Sequence, residues 1–244
     1  METSYKKTKY RVWILFFMTL LVMATAVSAD PTGATITSNT TNAGKTYTAG
    51  NRSDAGGSIT TMALSATQQD QQWKAYVGNV SGSLSLSDSG GFTIYDWSLS
   101  SGSITGRVYA TRSSSVSWSN VNCTSAANIT AEETALSINS SVTDSIKNTF
   151  NFTTHPSFSV AGRTITANSC NATSTYVSSA RQTQSSADFP EVILDDTTSM
   201  IYATIINNDK TGYTGATTYD FQMIVADNPS VTSNMYYFYV ELGS

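Results

Sequence analysis

The sequence predicts a mainly β fold: an antiparallel β-sandwich-like domain with one helical insert at about residues 131–150. Three observations lead there. Short runs rich in aromatic and β-branched residues alternate with smaller ones, as half-buried strands do. Gly, Ser and Asp clusters punctuate the runs at hairpin spacing. A single stretch switches to helical periodicity.

The chain opens with Lys6, Lys7, Lys9 and Arg11, then an apolar run from Val12 to Val27 and the small-residue end Ala26-Val27-Ser28-Ala29. This is the layout of a secretory signal over residues 1–29: basic, then apolar, then a cleavage site. Its strictly apolar core, Val12 to Met23, is shorter than the about 20 residues of a membrane span. The alternative is an anchor retained in the membrane. Residues 30–57 are rich in Thr, Asn, Gly and Ser and poor in large apolar groups, which predicts a flexible leader.

The β-rich domain is expected over 58–244, roughly 185 residues, enough for one sizeable core. Ile59, Met62 and Leu64 open its first strand-like stretch. Trp73 to Gly78 follows, then Leu84 and Leu86 alternating with Ser, a Gly90-Gly91 turn, and Phe92 to Trp97. Ile104 to Thr111 alternates again, and Val116 and Trp118 continue it. Thr130-Ala131-Glu132-Glu133 reads as a capping box, with Ala135, Ile138, Val142, Ile146 and Phe150 on one helical face behind it. Strands resume at Phe158 to Ala167, Val192 to Leu194, Met200 to Ile206, Tyr219 to Ala226 and Met235 to Leu242. The run Tyr236-Tyr237-Phe238-Tyr239-Val240 lacks simple alternation, which predicts a central strand buried on both faces.

Composition narrows the function classes. The chain has 13 Lys+Arg and 17 Asp+Glu; residues 1–29 hold four of the basic residues and Glu2, leaving 9 against 16, a net of −7. Such a chain is repelled by nucleic acid and by anionic membrane surfaces, so membrane contact is expected only if the N-terminal segment is retained. Charged residues are 12% of the chain, about half the usual share, and Ser, Thr, Asn and Gly take their place. N-x-[ST] acceptor patterns occur at Asn39, Asn51, Asn79, Asn122, Asn128, Asn139, Asn151 and Asn171. Chance enrichment in a Ser/Thr/Asn-rich chain is the alternative account of them. Cys123 and Cys170 are the only cysteines, and in an exported chain they are expected to pair. Free thiols or half of a metal site are the alternatives.

Chemistry-bearing constellations are sparse. His155 is the single histidine, it precedes Pro156, and it is expected in a surface loop. No nucleophile elbow, Walker loop or dinucleotide fingerprint is present, and no cofactor is expected. Glu191, Asp195, Asp196, Asp220, Asp227 and Glu241 could supply the two carboxylates of a glycosidase, but spacing selects no pair. Asp195-Asp196 has a second reading as a Ca²⁺ site. Trp73, Tyr76, Tyr95, Trp97 and Trp118 could line a sugar-binding face, although aromatics in strands are usually core or cross-strand pairs.

Two stretches carry a resemblance. Trp73-Lys74-Ala75-Tyr76-Val77-Gly78-Asn79-Val80-Ser81-Gly82, Ile94-Tyr95-Asp96-Trp97 and Val108-Tyr109-Ala110-Thr111-Arg112 form the first. Tyr219-Asp220-Phe221-Gln222-Met223-Ile224-Val225 with Tyr236 to Leu242 forms the second. Together they look like uncharacterised exported β-rich surface proteins of archaea, and by composition alone the chain is similar to glycan-decorated subunits of archaeal surface filaments. The resemblance implies compartment and architecture and brings no catalytic residue. The expectation is a non-enzymatic secreted or cell-surface structural protein that self-associates by strand addition from its leader. An extracellular carbohydrate-binding module is the alternative, and a carboxylate-dependent glycoside hydrolase comes last.

Overall fold

The computed structural model describes residues 30–99, 104–228 and 233–243; the signal expected over 1–29 lies outside them. The architecture is mainly antiparallel β with a small helical element. The strands are β1 (Thr32–Gly33), β2 (Trp73–Gly78), β3 (Ser83–Ser87), β4 (Thr93–Ser98), β5 (Thr105–Thr111), β6 (Asn122–Cys123), β7 (Phe158–Val160), β8 (Arg163–Ile165), β9 (Ala172–Ser174), β10 (Pro190–Asp195), β11 (Met200–Ile205), β12 (Lys210–Thr211), β13 (Thr218–Tyr219), β14 (Phe221–Ala226) and β15 (Tyr237–Gly243). Helices α1 (Ala126–Ala135) and α2 (Ile146–Thr149) lie between β6 and β7.

The main sheet has the order β1-β15-β5-β11-β10-β6, with β9 beside β6 on the same edge of β10. Both of its faces are covered. Val108, Ala110, Ile193, Met200 and Tyr202 face a core shared with β14, β2 and the two helices. Their strand neighbours Tyr109, Val192, Leu194, Ile201 and Ala203 face a second core beneath β7, β8 and Trp118. Side chains alternate between two covered faces, so Val192 to Leu194 and Met200 to Ala203 read as unbroken apolar runs.

Three expectations need correction. Ile59, Met62 and Leu64 form no strand: Ile59 is 100% exposed and Leu64 85%, and the next strand after β1 begins at Trp73. Their spacing fits neither the strand nor the helix period, and no neighbouring strand receives them. The aromatic run at 236–240 is not in a central strand. β15 lies next to the edge, and the two-residue β1 is its outer neighbour. The continuous aromatics arise because Tyr236, Phe238 and Val240 pack into one core and Tyr239 into the other.

The helix expected over 131–150 is two helices. α1 starts earlier, capped by Ser125, whose Oγ accepts from the Asn128 N–H. Thr130 and Glu133 sit inside it: the Thr130 hydroxyl donates to the Ala126 carbonyl at 3.0 Å, and Glu133 Oε1 accepts from the Lys147 N–H at 2.8 Å, capping α2 instead. α1 ends in a Schellman motif. Ile138 N–H donates to Glu133 O and Ser137 N–H to Thr134 O, with Ser137 left-handed at φ 55°. Ile138, Ile146 and Phe150 reach the core all the same, from both sides of the break.

Candidate functional site

The free edge of the main sheet is where an unusual arrangement stands. Thr32 pairs with Val240 and Gly33 with Tyr239, and the Ala34 N–H donates to the Phe238 carbonyl at 2.8 Å. Pro31 is buried there. From Thr32 to Gln71 every residue is exposed, and between Ala34 and Asp70 the arm's hydrogen bonds join its own residues, such as Arg52 to Asp54. The arm therefore extends further than the 30–57 leader expected from composition, and its first residues are docked on the sheet.

The outer edge of β14 is closed by fixed side chains. On β14 the N–H groups facing away from β2 meet Glu191 Oε2, at 3.0 Å from Ile224 N, and the Tyr202 hydroxyl, at 3.4 Å from Ala226 N. The Tyr236 hydroxyl donates to the Ala226 carbonyl. Burial, with Tyr236 nearby, raises the Tyr202 phenol well above its ordinary value. Burial also pushes the Glu191 carboxyl well up, only partly offset by the Ile224 N–H. Beyond β10 the disulfide Cys123–Cys170, Cα atoms 4.9 Å apart, fastens β6 to the start of β9. It closes the insert that carries both helices, worth about 4 kcal/mol in the chain-entropy account.

The second exposed feature is the β3–β4 hairpin. Asp88 Oδ1 accepts from the N–H groups of Gly90 and Phe92, and Gly91 takes φ 84°, which a glycine adopts without strain. Leu84 faces Trp97 and Leu86 faces Tyr95 across the strands. The Tyr95 and Trp97 rings stand 4.8 Å apart, and Tyr95, Trp97 and Leu86 are exposed. The five aromatics considered together in the sequence thus separate. Trp73 packs on Phe150, Tyr76 on Phe238, and Trp118 between Tyr109 and Tyr239, while Tyr95 and Trp97 remain at the surface.

The six carboxylates of the C-terminal third hold the fold. Asp196 accepts from the N–H groups of Ser117, Thr198 and Ser199 and from the Thr198 hydroxyl. Burial works against its charge, yet these donors hold it below its ordinary value. Asp195 accepts from Thr197 N–H, so the Asp195-Asp196 pair is a tight turn with its oxygens facing donors, which does not suit Ca²⁺. Asp220 ties Val80 to Asp209. Asp227 lies 2.9 Å from Lys74 Nζ; burial opposes its charge, and Lys74 with Asn234 lowers its pKa overall. Glu241 takes Arg107 at 2.8 Å, the Tyr109 hydroxyl at 2.6 Å and the Ala161 N–H.

His155 is buried, contrary to the surface loop expected for it. Its Nε2 accepts from the N–H groups of Ser169 and Cys170, so Nδ1 carries the proton and donates to the Pro156 carbonyl. The ring pins the loop that presents Cys170. One acid pair was missed in the sequence: Asp70, at the foot of the arm, and Asp144, in the α1–α2 turn, line one polar depression with Gln68, Gln69, Gln71 and Gln72. Burial first, then Asp144, raises its pKa. The two lie far apart in the chain, and no local pattern joins them.

The acceptor asparagines also separate. Asn39, Asn51, Asn79, Asn139 and Asn151 are exposed together with their Ser or Thr. Asn139 Oδ1 accepts both the N–H and the hydroxyl of Ser141. Asn122 is exposed but binds Arg163, and its Thr124 is buried. Asn128 is half-buried on α1. Asn171 is half-buried and donates to the Phe150 carbonyl at 2.8 Å, and its Thr173 is buried. Among the described residues no helix is long and apolar enough to cross a membrane, and no group of three or more His, Cys, Asp or Glu is placed to hold a metal ion. No family model, no curated protein and no solved structure matches this chain.

Proposed function

We propose that this chain is a non-enzymatic extracellular or cell-surface structural protein, a glycan-bearing subunit of a surface layer or filament that joins others through its N-terminal arm. The arm is the observation that carries the reading: some forty exposed residues, 32–71, built from no element beyond β1 and tipped by a short strand on a sheet edge. A segment of that length and exposure costs ordering entropy whenever it docks, and it suits linkage between bodies better than stabilisation of one. The buried disulfide fits an oxidising compartment, as does the signal-like start of the chain. The hydroxyl-rich surface and five exposed acceptor sites favour glycans, and the resemblance to exported archaeal surface proteins agrees with both.

Intact mass of protein taken from its own host tests this. The expected mass is that of residues 30–244 plus glycans, lighter by two hydrogens before reduction. A bare chain retaining residues 1–29 would overturn it. A second reading, a carbohydrate-binding module, is favoured by the exposed Tyr95–Trp97 pair. Retention on a polysaccharide that Trp97→Ala abolishes would select it.

A further inference from the structure

We infer that β15 is a docking edge for residues 31–34 of a second copy of this chain, so that neighbouring molecules exchange arms. The inference rests on the surface-subunit reading and supplies its contact. Among the described residues, the contacts that hold β1 lie within four residues: buried Pro31, the two register pairs to Tyr239 and Val240, the Thr32 hydroxyl to Val240 O, and the bond from Ala34 N–H to Phe238 O. Among the described residues, the stretch from Thr35 to Gln69 contributes no hydrogen bond to the sheet. The docked strand is therefore chemically the same whether it arrives from its own molecule or from another.

Reach permits the exchange. The roughly 38 residues joining β1 to β2 span up to about 125 Å when extended, whereas a domain of this size is about 40 Å across. The choice between the two sources is then set by concentration. Subunits crowded on a surface favour the neighbour's arm.

The edge itself calls for a cover. β15 carries Tyr237, Phe238, Tyr239 and Val240, a dense β-forming run of the kind that templates unwanted pairing when bare. The β14 edge is closed by Glu191 and Tyr202, side chains that cannot leave. The β15 edge is closed by backbone on a tether, which can. Each donated arm both caps a neighbour and links to it; donation passed onward in one direction is heterologous and propagates head to tail, whereas mutual exchange closes a dimer.

The test uses two full-length proteins, one with Thr32→Cys and one with Val240→Cys. Residues opposed in an antiparallel pair have Cα atoms about 5.5 Å apart, within disulfide range. Mixed under mild oxidation, only arm exchange gives a 32–240 cross-link between different chains, identified by peptide mass. The expected result is a yield that climbs with concentration and falls about tenfold when Ala34→Pro removes the donor to Phe238. No interchain 32–240 peptide at any concentration, while one protein with both cysteines closes on itself, would overturn the inference. Sedimentation of the unmodified protein separates the two failures. Large species without the cross-link leave the surface role standing and remove the exchange. Single copies throughout remove self-association as well.

Discussion

Glu191 shows how a single residue looks different from the sequence and from the fold. In the sequence it is one of six candidate acids; in the fold it is fully buried, and Oε1 has no partner among the described residues. It stands in for a missing strand by accepting the Ile224 N–H. Burial raises its pKa, so the folded chain takes up a proton that the unfolded chain releases near 4.5. Its contribution to stability is fully present below that pH and is lost as pH rises toward the folded pKa. Glu191→Gln keeps an acceptor and never ionises. Urea unfolding at pH 8 should find the variant more stable, by at least about 1 kcal/mol, with the two proteins alike near pH 4.5. A less stable variant at pH 8 would mean the carboxylate is charged and satisfied in the fold. None of this was legible in the sequence, because burial is set by strands far apart in the chain.

At the scale of elements, the strands read well and the insert read in part. β5, β11 and β14 fall within the expected runs, and β10 and β15 overlap theirs and extend past them, since β-branched and aromatic density survives burial on either face. The helical stripe named the core residues Ile138, Ile146 and Phe150 but not the break between them. The break follows from a Ser-Ile-Asn-Ser-Ser run that prefers its own turn bonds, with Ser137 held left-handed where glycine is usual. Ser137→Gly should raise stability by roughly 0.5–1 kcal/mol, seen as a thermal midpoint higher by about 2 °C. A lower midpoint would show that α1 ends for another reason. The two exposed rings of the β3–β4 hairpin were legible only as members of a group of five, because strand alternation does not reveal which hairpin stands clear of the core.

The whole molecule is a two-core sheet with an arm. Low charge, paired cysteines and a hydroxyl-rich composition made a β-rich disulfide-bonded domain readable before any coordinate. The arm's true length was not, because Ile59, Met62 and Leu64 resemble a strand in composition while lacking a neighbour to pair with. The proposed role depends on that arm. Sedimentation velocity of the 30–244 chain beside a 72–244 chain supplied with an untethered peptide of residues 30–36 to cover β15, over a range of concentrations, tests it most directly. The expected result is growing assemblies for the first and folded single copies for the second. Equal assembly of both, or single copies of both at the highest concentration, would contradict the account.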